Sequence, residues 1–302
     1  MVDQADRLRQ ISRERGEKID GASFAGSGSR VVAVSSGKGG VGKTNLVVNL
    51  ALTLARWDYR VVIIDADLGM ANVDVLVNAF PRHTLEDVLE GDMDVRDIIL
   101  EGPANVKIVP GGSGMFSLAN LDQARRSSLV ERLQVLEEEG DILFIDTAAG
   151  LSRNVISFVA SADEAIIVTT PEPTALTDAY GMIKVLREKG IKKKVHLVVN
   201  FASDLSQGEE VYRRMNKVVG KYLSGLEVNF LGPINRDPLV TRSVQDCEPL
   251  VLSHPQAPAA QSIQRIAQRF VYAGEGTAGE TGESSRRGVG GFLKRLQGFL
   301  SQ

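Results

Sequence analysis

A glycine-rich run, GKGGVGKTN at residues 37–45, separates an apolar stretch that predicts a buried strand from one that predicts a helix. Glycine lets the backbone of such a loop wrap around an anion with its N–H groups pointing inward, in conformations that a Cβ atom obstructs. The start of the following helix adds a partial positive charge. The pattern G-x-x-x-x-G-K-[ST] in this context therefore predicts a phosphate-binding loop, and a glycine-rich turn without a ligand is the disfavoured alternative.

Each position of this loop has a predicted place at a bound nucleotide. We expect Lys43 to reach the β- and γ-phosphates and the Thr44 hydroxyl to bind Mg²⁺. The predicted nucleotide contacts are Gly37, Lys38, Gly39, Gly40, Val41, Gly42, Lys43, Thr44 and Asn45.

Short runs rich in β-branched residues alternate with longer amphipathic runs between Arg30 and Ala273. Several of the short runs are apolar almost throughout, as strands buried on both faces must be. This alternation predicts an α/β fold, a three-layer P-loop NTPase with a mainly parallel central sheet and helices on both faces, which binds ligands at the carboxyl ends of its strands. The predicted strands begin at Val31, Arg60, Val106, Asp141, Glu164, Lys194 and Glu227, and the predicted helices include 44–57, 122–139, 174–189 and 208–223.

Carboxylates follow two of these strands. Asp65 and Asp67 end the second strand, and residues two apart leave a strand on the same face, so both can approach Mg²⁺ and an attacking water. Asp146 ends the apolar strand DILFID and fits an aspartate that holds Mg²⁺ through water, with residues 147–150 sensing the γ-phosphate. The predicted metal-binding residues are therefore Thr44, Asp65, Asp67 and Asp146.

The loop carries a second lysine, Lys38, which the general motif does not need. With this lysine, KGGVGKT resembles the deviant Walker A motif of the MinD/ParA ATPases. The resemblance implies ATP and Mg²⁺ as ligands, and a dimer in which Lys38 reaches the partner's phosphates. It also implies catalytic roles for Lys38, Lys43 and Asp67, with Asp67 orienting the water, and slow turnover without a partner. The family usually has a second hydroxyl residue where this chain has Asn45, which leaves the α-phosphate contact to an amide.

The same resemblance locates the base and ribose. Asn200 ends the strand HLVVN, and PINRD at residues 233–237 follows the next strand, so Asn200, Pro233 and Asn235 are the expected adenine contacts. An asparagine offers both a donor and an acceptor to an adenine edge, but it is also common in strand-end turns. Glu172 lies where the family has a glutamate near the ribose.

The amino-terminal segment, residues 1–15, has apolar residues at near-helical spacing between charged ones, which predicts a short amphipathic helix. An ordinary charged terminal helix has the same composition. Its string DQADRLR resembles the DQAxxLR element of the FlhG family (also FleN or YlxH), MinD-like regulators of flagellar number. The resemblance implies stimulation of the SRP-like GTPase FlhF by Asp3, Gln4, Ala5, Leu8 and Arg9, with Gln4 completing the GTPase site. It further implies contacts with flagellar C-ring proteins and, in some members, with a transcription regulator.

The last segment, residues 288–302, has one apolar helical face with basic flanks. A glycine-rich tether precedes it, so we expect a helix that orders on anionic lipid, with two copies in a dimer binding by avidity. A helix docked on the core is the alternative. The predicted membrane-facing residues are Val289, Phe292, Leu293, Leu296, Phe299 and Leu300.

The chain therefore divides into an ATPase domain with an appendage at each end. The predicted boundaries are an activator helix at 1–15, a flexible linker at 16–29, the ATPase domain at 30–273, a second linker at 274–287 and the membrane-targeting helix at 288–302.

Composition excludes several classes of protein. One cysteine, Cys247, excludes a disulfide within one chain and the iron–sulfur relatives of this family. With no secretory segment, we expect a cytoplasmic protein that binds reversibly to the inner face of the cell membrane. A ParA-type DNA-partitioning ATPase is the alternative function, with 192–194 as a small basic patch, but a net charge of -3 disfavours DNA, and no sequence-specific DNA binding is expected.

Overall fold

The structure is a computed structural model of the 302-residue chain. It describes residues 29–67, 72–91, 93–111, 128–129, 131–190, 194–223, 225–275 and 288–300. The predicted activator helix with Asp3, Gln4, Ala5, Leu8 and Arg9 lies outside these ranges, as do most of the two predicted linkers and Lys192 and Lys193 of the basic patch.

An eight-stranded sheet forms the centre of the described chain, in the order β3–β4–β2–β5–β1–β6–β7–β8. Every neighbouring pair is parallel except β3 and β4. The strands are β1 (Arg30–Ser36), β2 (Val61–Ala66), β3 (Leu100–Glu101), β4 (Lys107–Pro110), β5 (Ile142–Ala149), β6 (Glu164–Thr169), β7 (Lys194–Ala202) and β8 (Val228–Asn235). The predicted strands and the α/β fold class are confirmed, and β3 is an addition too short to leave a sequence pattern.

Helices cover both faces of the sheet. They are α1 (Lys43–Ala55), α2 (Val73–Leu76), α3 (Leu85–Glu90), α4 (Val95–Ile98), α5 (Leu136–Glu139), α6 (Arg153–Ser161), α7 (Pro173–Glu188), α8 (Leu205–Tyr222), α9 (Pro238–Gln245), α10 (Leu250–Ser253), α11 (Pro258–Glu275) and α12 (Gly288–Leu300), with a 3₁₀ turn at Pro103–Asn105. Among the described residues, no helix combines the length and the apolar character needed to span a bilayer.

The core consists of two apolar layers separated by the sheet. Alternate residues of β1 enter different layers: Val31 and Ala33 join the layer under α6, α7, α8 and α12, whereas Val32 and Val34 join the layer under α1, α10 and α11. This is the two-residue period of a strand buried on both faces. The sheet is therefore buried on both faces, and the edge where its strands end is the one at which folds of this class bind ligands.

A buried ionic group holds the opposite edge of the sheet, where the strands begin. The Arg30 guanidinium donates Nε and Nη2 hydrogen bonds of 2.8 and 2.5 Å to the Glu164 carboxylate, and His196 Nε2 lies 2.8 Å from Glu164 Oε2. Burial alone would raise the pKa of Glu164, but His196 and Arg30 lower it to about 2. His196 is fully buried in this group and so contributes to the structure of the sheet edge.

The carboxy-terminal helix α12 is docked on the core in this structure, where the sequence analysis expected a helix that orders on lipid. Val289, Phe292, Leu293 and Leu296 are each at most 3% exposed and pack against the core beside α6, while Phe299 packs partly buried on the same cluster. They do not form a free lipid-facing surface in this state. The side chain of Leu300 is outside the described set.

The helix docks because a groove in the protein buries the apolar face of α12 away from water, as lipid would. Asp163 adds polar anchors, because its carboxylate accepts hydrogen bonds from Arg295 Nη2 at 2.6 Å and from the Gly288 N–H at 3.3 Å. Arg295 Nε also donates to the Ser161 carbonyl at 2.7 Å. The docked helix, the alternative in the sequence analysis, is the arrangement observed.

Candidate nucleotide site

The phosphate loop joins β1 to α1 at the carboxyl edge of the sheet. Gly40 and Gly42 have φ angles of 74° and 88°, in the left-handed region that favours glycine. Gly42 is the N-cap residue of α1, and a Cβ atom there would lie 2.4 Å from Asn200 Nδ2. The N–H groups of residues 43–45, the first three of α1, are therefore presented at the loop without a side-chain cap, as an anion site requires.

Neighbouring strands hold this loop in place. The Ser36 hydroxyl donates to the Lys38 carbonyl at 2.7 Å, and the Gly150 N–H after β5 donates to the Ser36 carbonyl at 2.8 Å. Asn200 Nδ2, at the end of β7, donates to the Val41 carbonyl at 2.8 Å. The loop is thus shaped before any ligand binds.

Gly37 and Gly39 differ in whether the surrounding packing leaves space for a side chain. A Cβ on Gly37 would lie 2.4 Å from the backbone of Asp178 in α7, so glycine is needed for close packing there. A Cβ on Gly39 would meet only Ala149, at an ordinary 4.0 Å, and Gly39 has no positive φ. The packing of the protein around position 39 therefore leaves space for a Cβ atom, and a close approach to a bound phosphate remains the predicted reason for glycine there.

Asp146 is the most deeply buried of the three aspartates at this site. Its side chain is fully buried, and neither carboxylate oxygen has a hydrogen-bond partner of good geometry among the described residues. The pKa of Asp146 is raised to about 7, mainly by burial. The Thr44 hydrogen bond and the Lys43 charge lower this pKa, and the charges of Asp65 and Asp67 raise it. A buried carboxylate with so little hydrogen bonding is costly, and a bound cation would offset that cost.

The two aspartates after β2 behave differently from each other. Asp65 is buried, and its oxygens accept the N–H groups of Asp67 at 3.0 Å, Asn72 at 3.0 Å and Val73 at 3.3 Å. Burial raises the pKa of Asp65 to about 6 in spite of these bonds. Asp65 therefore shapes the turn that carries Asp67, which is itself partly exposed at the same edge.

These residues fit a magnesium ion. Thr44 and Asp146 would hold it, because a hydroxyl and an orphaned buried carboxylate are oxygen ligands of the kind Mg²⁺ prefers. No group of three histidine, cysteine or acidic side chains in the described ranges forms a closed metal cage. That suits an ion that takes most of its ligands from water and phosphates.

Lys38 lies at the rim of the loop with its ammonium 2.9 Å from Glu172 Oε2 of the same chain. The two side chains are 45% and 62% exposed. Lys38 lowers the pKa of Glu172 through this hydrogen bond and its charge. The structure thus joins two residues that the sequence analysis assigned to different parts of the nucleotide.

A cavity of about 330 Å³ opens beside this ion pair. It is lined by Thr170, Pro171, Glu172, Phe201, Ser203, Gln207 and Arg236. Sequence reasoning identified Glu172 alone of these. In the structure Phe201 has a φ of 58°, which is rare for a non-glycine residue. In the sequence, only its position directly after Asn200 points to it.

The predicted adenine contacts are only partly brought to this cavity. Asn200 is buried with its amide already engaged: Nδ2 donates to Val41, and Oδ1 accepts the Phe201 N–H at 2.8 Å. Pro233 packs against Gly208 of α8 rather than lining the cavity, and Asn235 Oδ1 accepts a hydrogen bond from Ser262 at 3.3 Å. Arg236, next to Asn235, reaches the cavity instead.

Comparison with known proteins gives consistent relatives. A family model described as an AAA domain matches residues 29–200. The chain is 39% identical to the antiactivator FleN of Pseudomonas aeruginosa over 80% of this chain and 85% of that protein. It is 33% identical to the flagellum site-determining protein YlxH of Helicobacter pylori over 99% and 100%. The septum site-determining protein MinD of Pyrococcus horikoshii, solved with Mg-ADP, superposes with a TM-score of 0.66 at 28% identity, covering 83% of this chain and 99% of that one.

Asp146→Asn should stabilise the nucleotide-free protein at pH 8 while abolishing its ATP hydrolysis. The folded carboxyl has a pKa of about 7 against the ordinary aspartate value of 3.8, so the folded state binds the proton more tightly. The free energy of unfolding therefore falls as pH rises between these two values and is level above them. Asparagine has no charge to bury, so the gain should reach a few kcal/mol, on the order of 1.4 kcal/mol per pKa unit.

Urea denaturation at pH 4, 5 and 8 measures this effect, with exposed Asp58→Asn as the matched control. The gain from Asp146→Asn should shrink towards pH 4, whereas Asp58→Asn should change little at any pH. A loss of stability at pH 8 would contradict the assignment of Asp146 as an uncompensated charge.

Proposed function

The chain belongs to the MinD/ParA-type ATPases within the AAA-domain family, in the branch of flagellar-number regulators, and from this premise we propose a nucleotide-dependent cycle. Its activity is ATP hydrolysis. In the proposed cycle, a monomer with ADP or no nucleotide alternates with an ATP-bound dimer that associates with the membrane. The cycle sets the number or placement of flagella.

The residues of the site divide the chemistry of hydrolysis between them. The loop N–H groups and Lys43 bind and neutralise the phosphates, and Thr44 and Asp146 hold Mg²⁺, which offsets negative charge on the phosphates when it is bound. Asp67, partly exposed beside them, orients the attacking water. Asp65 keeps the Asp67 turn in place through its backbone hydrogen bonds.

The observation that carries the dimer proposal is the position of Lys38. Its side chain is about half exposed at the rim of the phosphate loop, and among the described residues its ammonium pairs with the exposed carboxylate of Glu172. Such pairs contribute about 0–1 kcal/mol, so Lys38 can exchange Glu172 for a partner's phosphates at little cost. A second copy facing this rim would thereby bring one lysine to each nucleotide.

Membrane association in this cycle requires α12 to leave its groove. The apolar face that α12 buries is the one that would enter lipid, and four fully buried side chains of this kind are worth ~1.5–3 kcal/mol each in either setting. Because the two burials are of similar size, small changes in the anchors at Asp163 and Arg295 can shift the balance. One helix binds lipid marginally, whereas two in a dimer bind with avidity.

The flagellar role rests on the relatives and on the amino-terminal string. FleN is named an antiactivator and YlxH a flagellum site-determining protein. The DQADRLR segment supports stimulation of the GTPase FlhF, with Gln4 entering the GTPase site. Contacts with C-ring proteins and with a transcription regulator complete the proposed set of partners, at the inner face of the cell membrane.

DNA partitioning is the weaker candidate. Of the predicted basic patch, Lys194 donates its ammonium to the Ala273 carbonyl at 2.6 Å and so serves the fold. The net charge of -3 opposes non-specific DNA binding as well. Pelleting with anionic vesicles and electrophoretic shift with non-specific DNA separate the two functions.

Lys38→Ala should bind ATP yet fail to dimerise, because the lysine contributes to the partner's site and not to its own. Glu172→Gln is its matched counterpart: it frees Lys38 and should lower the ATP concentration at half-maximal dimerisation by a few-fold, as expected for an exposed ion pair. Sedimentation velocity across an ATP titration measures both. A normal dimer from Lys38→Ala would contradict the role given to this lysine.

Arg295→Lys should increase binding to anionic vesicles in the absence of nucleotide. Lysine keeps the positive charge that lipid attracts but loses the forked contact with Asp163 and the Ser161 carbonyl. Vesicle pelleting measures this, and adding Phe292→Ser should remove the gained binding. Pelleting that is unchanged by Arg295→Lys and by Phe292→Ser alike would show that α12 is a structural helix only.

Gln4→Ala should leave the chain's own ATP hydrolysis intact and lose stimulation of FlhF. Gln10→Ala, a glutamine of the same segment outside the DQADRLR string, is the control and should stimulate normally. Steady-state GTP hydrolysis by FlhF with each variant is the readout. Full stimulation by Gln4→Ala would contradict the activator role.

A further inference from the structure

A buried chain of hydrogen bonds links the phosphate loop to a helix near the other end of the fold. Asn49 lies in the middle of α1, is 1% exposed and is surrounded by the apolar layer that contains Leu46 and Leu50. A buried amide in such a layer is costly unless it is hydrogen-bonded. Asn49 meets this requirement with three partners, in Asn45 and in Val251 of α10.

The distances define the direction of the chain. The Val251 N–H donates to Asn49 Oδ1 at 2.9 Å. Asn49 Nδ2 donates to the Asn45 carbonyl at 2.8 Å and to Asn45 Oδ1 at 3.3 Å.

The polarity of each amide follows from chemistry. A backbone N–H can only donate, so the Asn49 atom that faces Val251 must be the oxygen, and its other end must be the NH₂ group. The Asn45 carbonyl can only accept, which agrees. The Asn45 side-chain atom next to that NH₂ group must therefore be its oxygen, and the remaining end of the Asn45 amide is a donor.

We propose that Asn49 is a positioning residue for the nucleotide, which fixes the Asn45 amide so that its NH₂ group faces the phosphates. The inference rests on the nucleotide site proposed above. Asn45 lies in the first turn of α1, directly after Thr44, where an anion meets the helix N-terminus. Within the described chain no hydrogen bond uses Asn45 Nδ2, so this donor is available to a ligand.

The orientation matters because the two ends of an amide have opposite effects on a phosphate. The NH₂ group donates a charge-assisted hydrogen bond, whereas the carbonyl oxygen repels the anion. A hydroxyl residue at this position would rotate freely and need no such support. Asparagine at position 45 thus creates a requirement that Asn49 satisfies.

Val251 is itself well placed to set this orientation. Its N–H donates to Asn49 in α1, and its carbonyl accepts a hydrogen bond of 3.3 Å from Nη1 of Arg56, which directly follows α1. These two bonds fix α10 against α1. A segment 202 residues away in the sequence thereby determines which atoms the phosphate loop offers.

A double-mutant cycle tests the inference. Asn49→Leu, of similar volume, is made alone and together with Asn45→Thr, and equilibrium dissociation constants of fluorescent ADP and ATP are measured on the full chain. In the Asn45 background Asn49→Leu should weaken both nucleotides ~10-fold, since a hydrogen bond to a charged group is lost. In the Asn45→Thr background the same change should cost less than ~2-fold, because the hydroxyl orients itself.

The outcomes separate the inference from the nucleotide site on which it rests. Equal losses in the two backgrounds would overturn it, since Asn49 would then support only the fold. Thermal melts check that each variant is folded. If Asn49→Leu does not fold, Asn49→Ser replaces it. Asn45→Asp should weaken binding more than Asn49→Leu, because a carboxylate cannot donate. Unchanged binding by Asn45→Asp with binding lost in Lys43→Ala would overturn the inference alone, whereas unchanged binding in Lys43→Ala would refute the nucleotide site itself.

Discussion

The backbone shape of the phosphate loop determines how the surrounding elements must be arranged. An anion cradle of N–H groups needs left-handed residues at Gly40 and Gly42 and an uncapped helix start at α1. Hydrogen bonds from neighbouring strands support that shape, from Gly150 directly after β5 and from Asn200 in β7. The parallel sheet brings these supports together because the carboxyl ends of its strands share one edge.

The cost of this arrangement is concentrated in buried charge. Burial raises the pKa of both Asp146 and Asp65, and neither has a cationic side chain hydrogen-bonded to it among the described residues. At the opposite edge, Glu164 has both Arg30 and His196, and its pKa is lowered. The two ends of the sheet therefore differ electrostatically: at one end the buried carboxylate is paired within the chain, and at the other a cation and a nucleotide would supply the missing partners.

Sequence patterns predicted the strands, the loop and the aspartates because these depend on local chemistry. Apolar runs identify buried strands, and the glycine spacing identifies the cradle. The docking of α12 could not be predicted in the same way, because an apolar helical face fits a lipid surface and a protein groove equally well. Asn49, Phe201 and Arg236 were missed since their roles depend on partners distant in sequence. Asn200 was predicted to contact the base, yet its side-chain amide forms hydrogen bonds with Val41 and Phe201 of the same chain.

In the proposed cycle, ATP assembles two copies of this chain across the rim that carries Lys38. Sedimentation equilibrium of the full chain with Mg²⁺ and either ADP or a non-hydrolysable ATP analogue measures this assembly. We expect the mass of a monomer with ADP and twice that mass with the ATP analogue. The same mass with both nucleotides would rule out assembly by ATP.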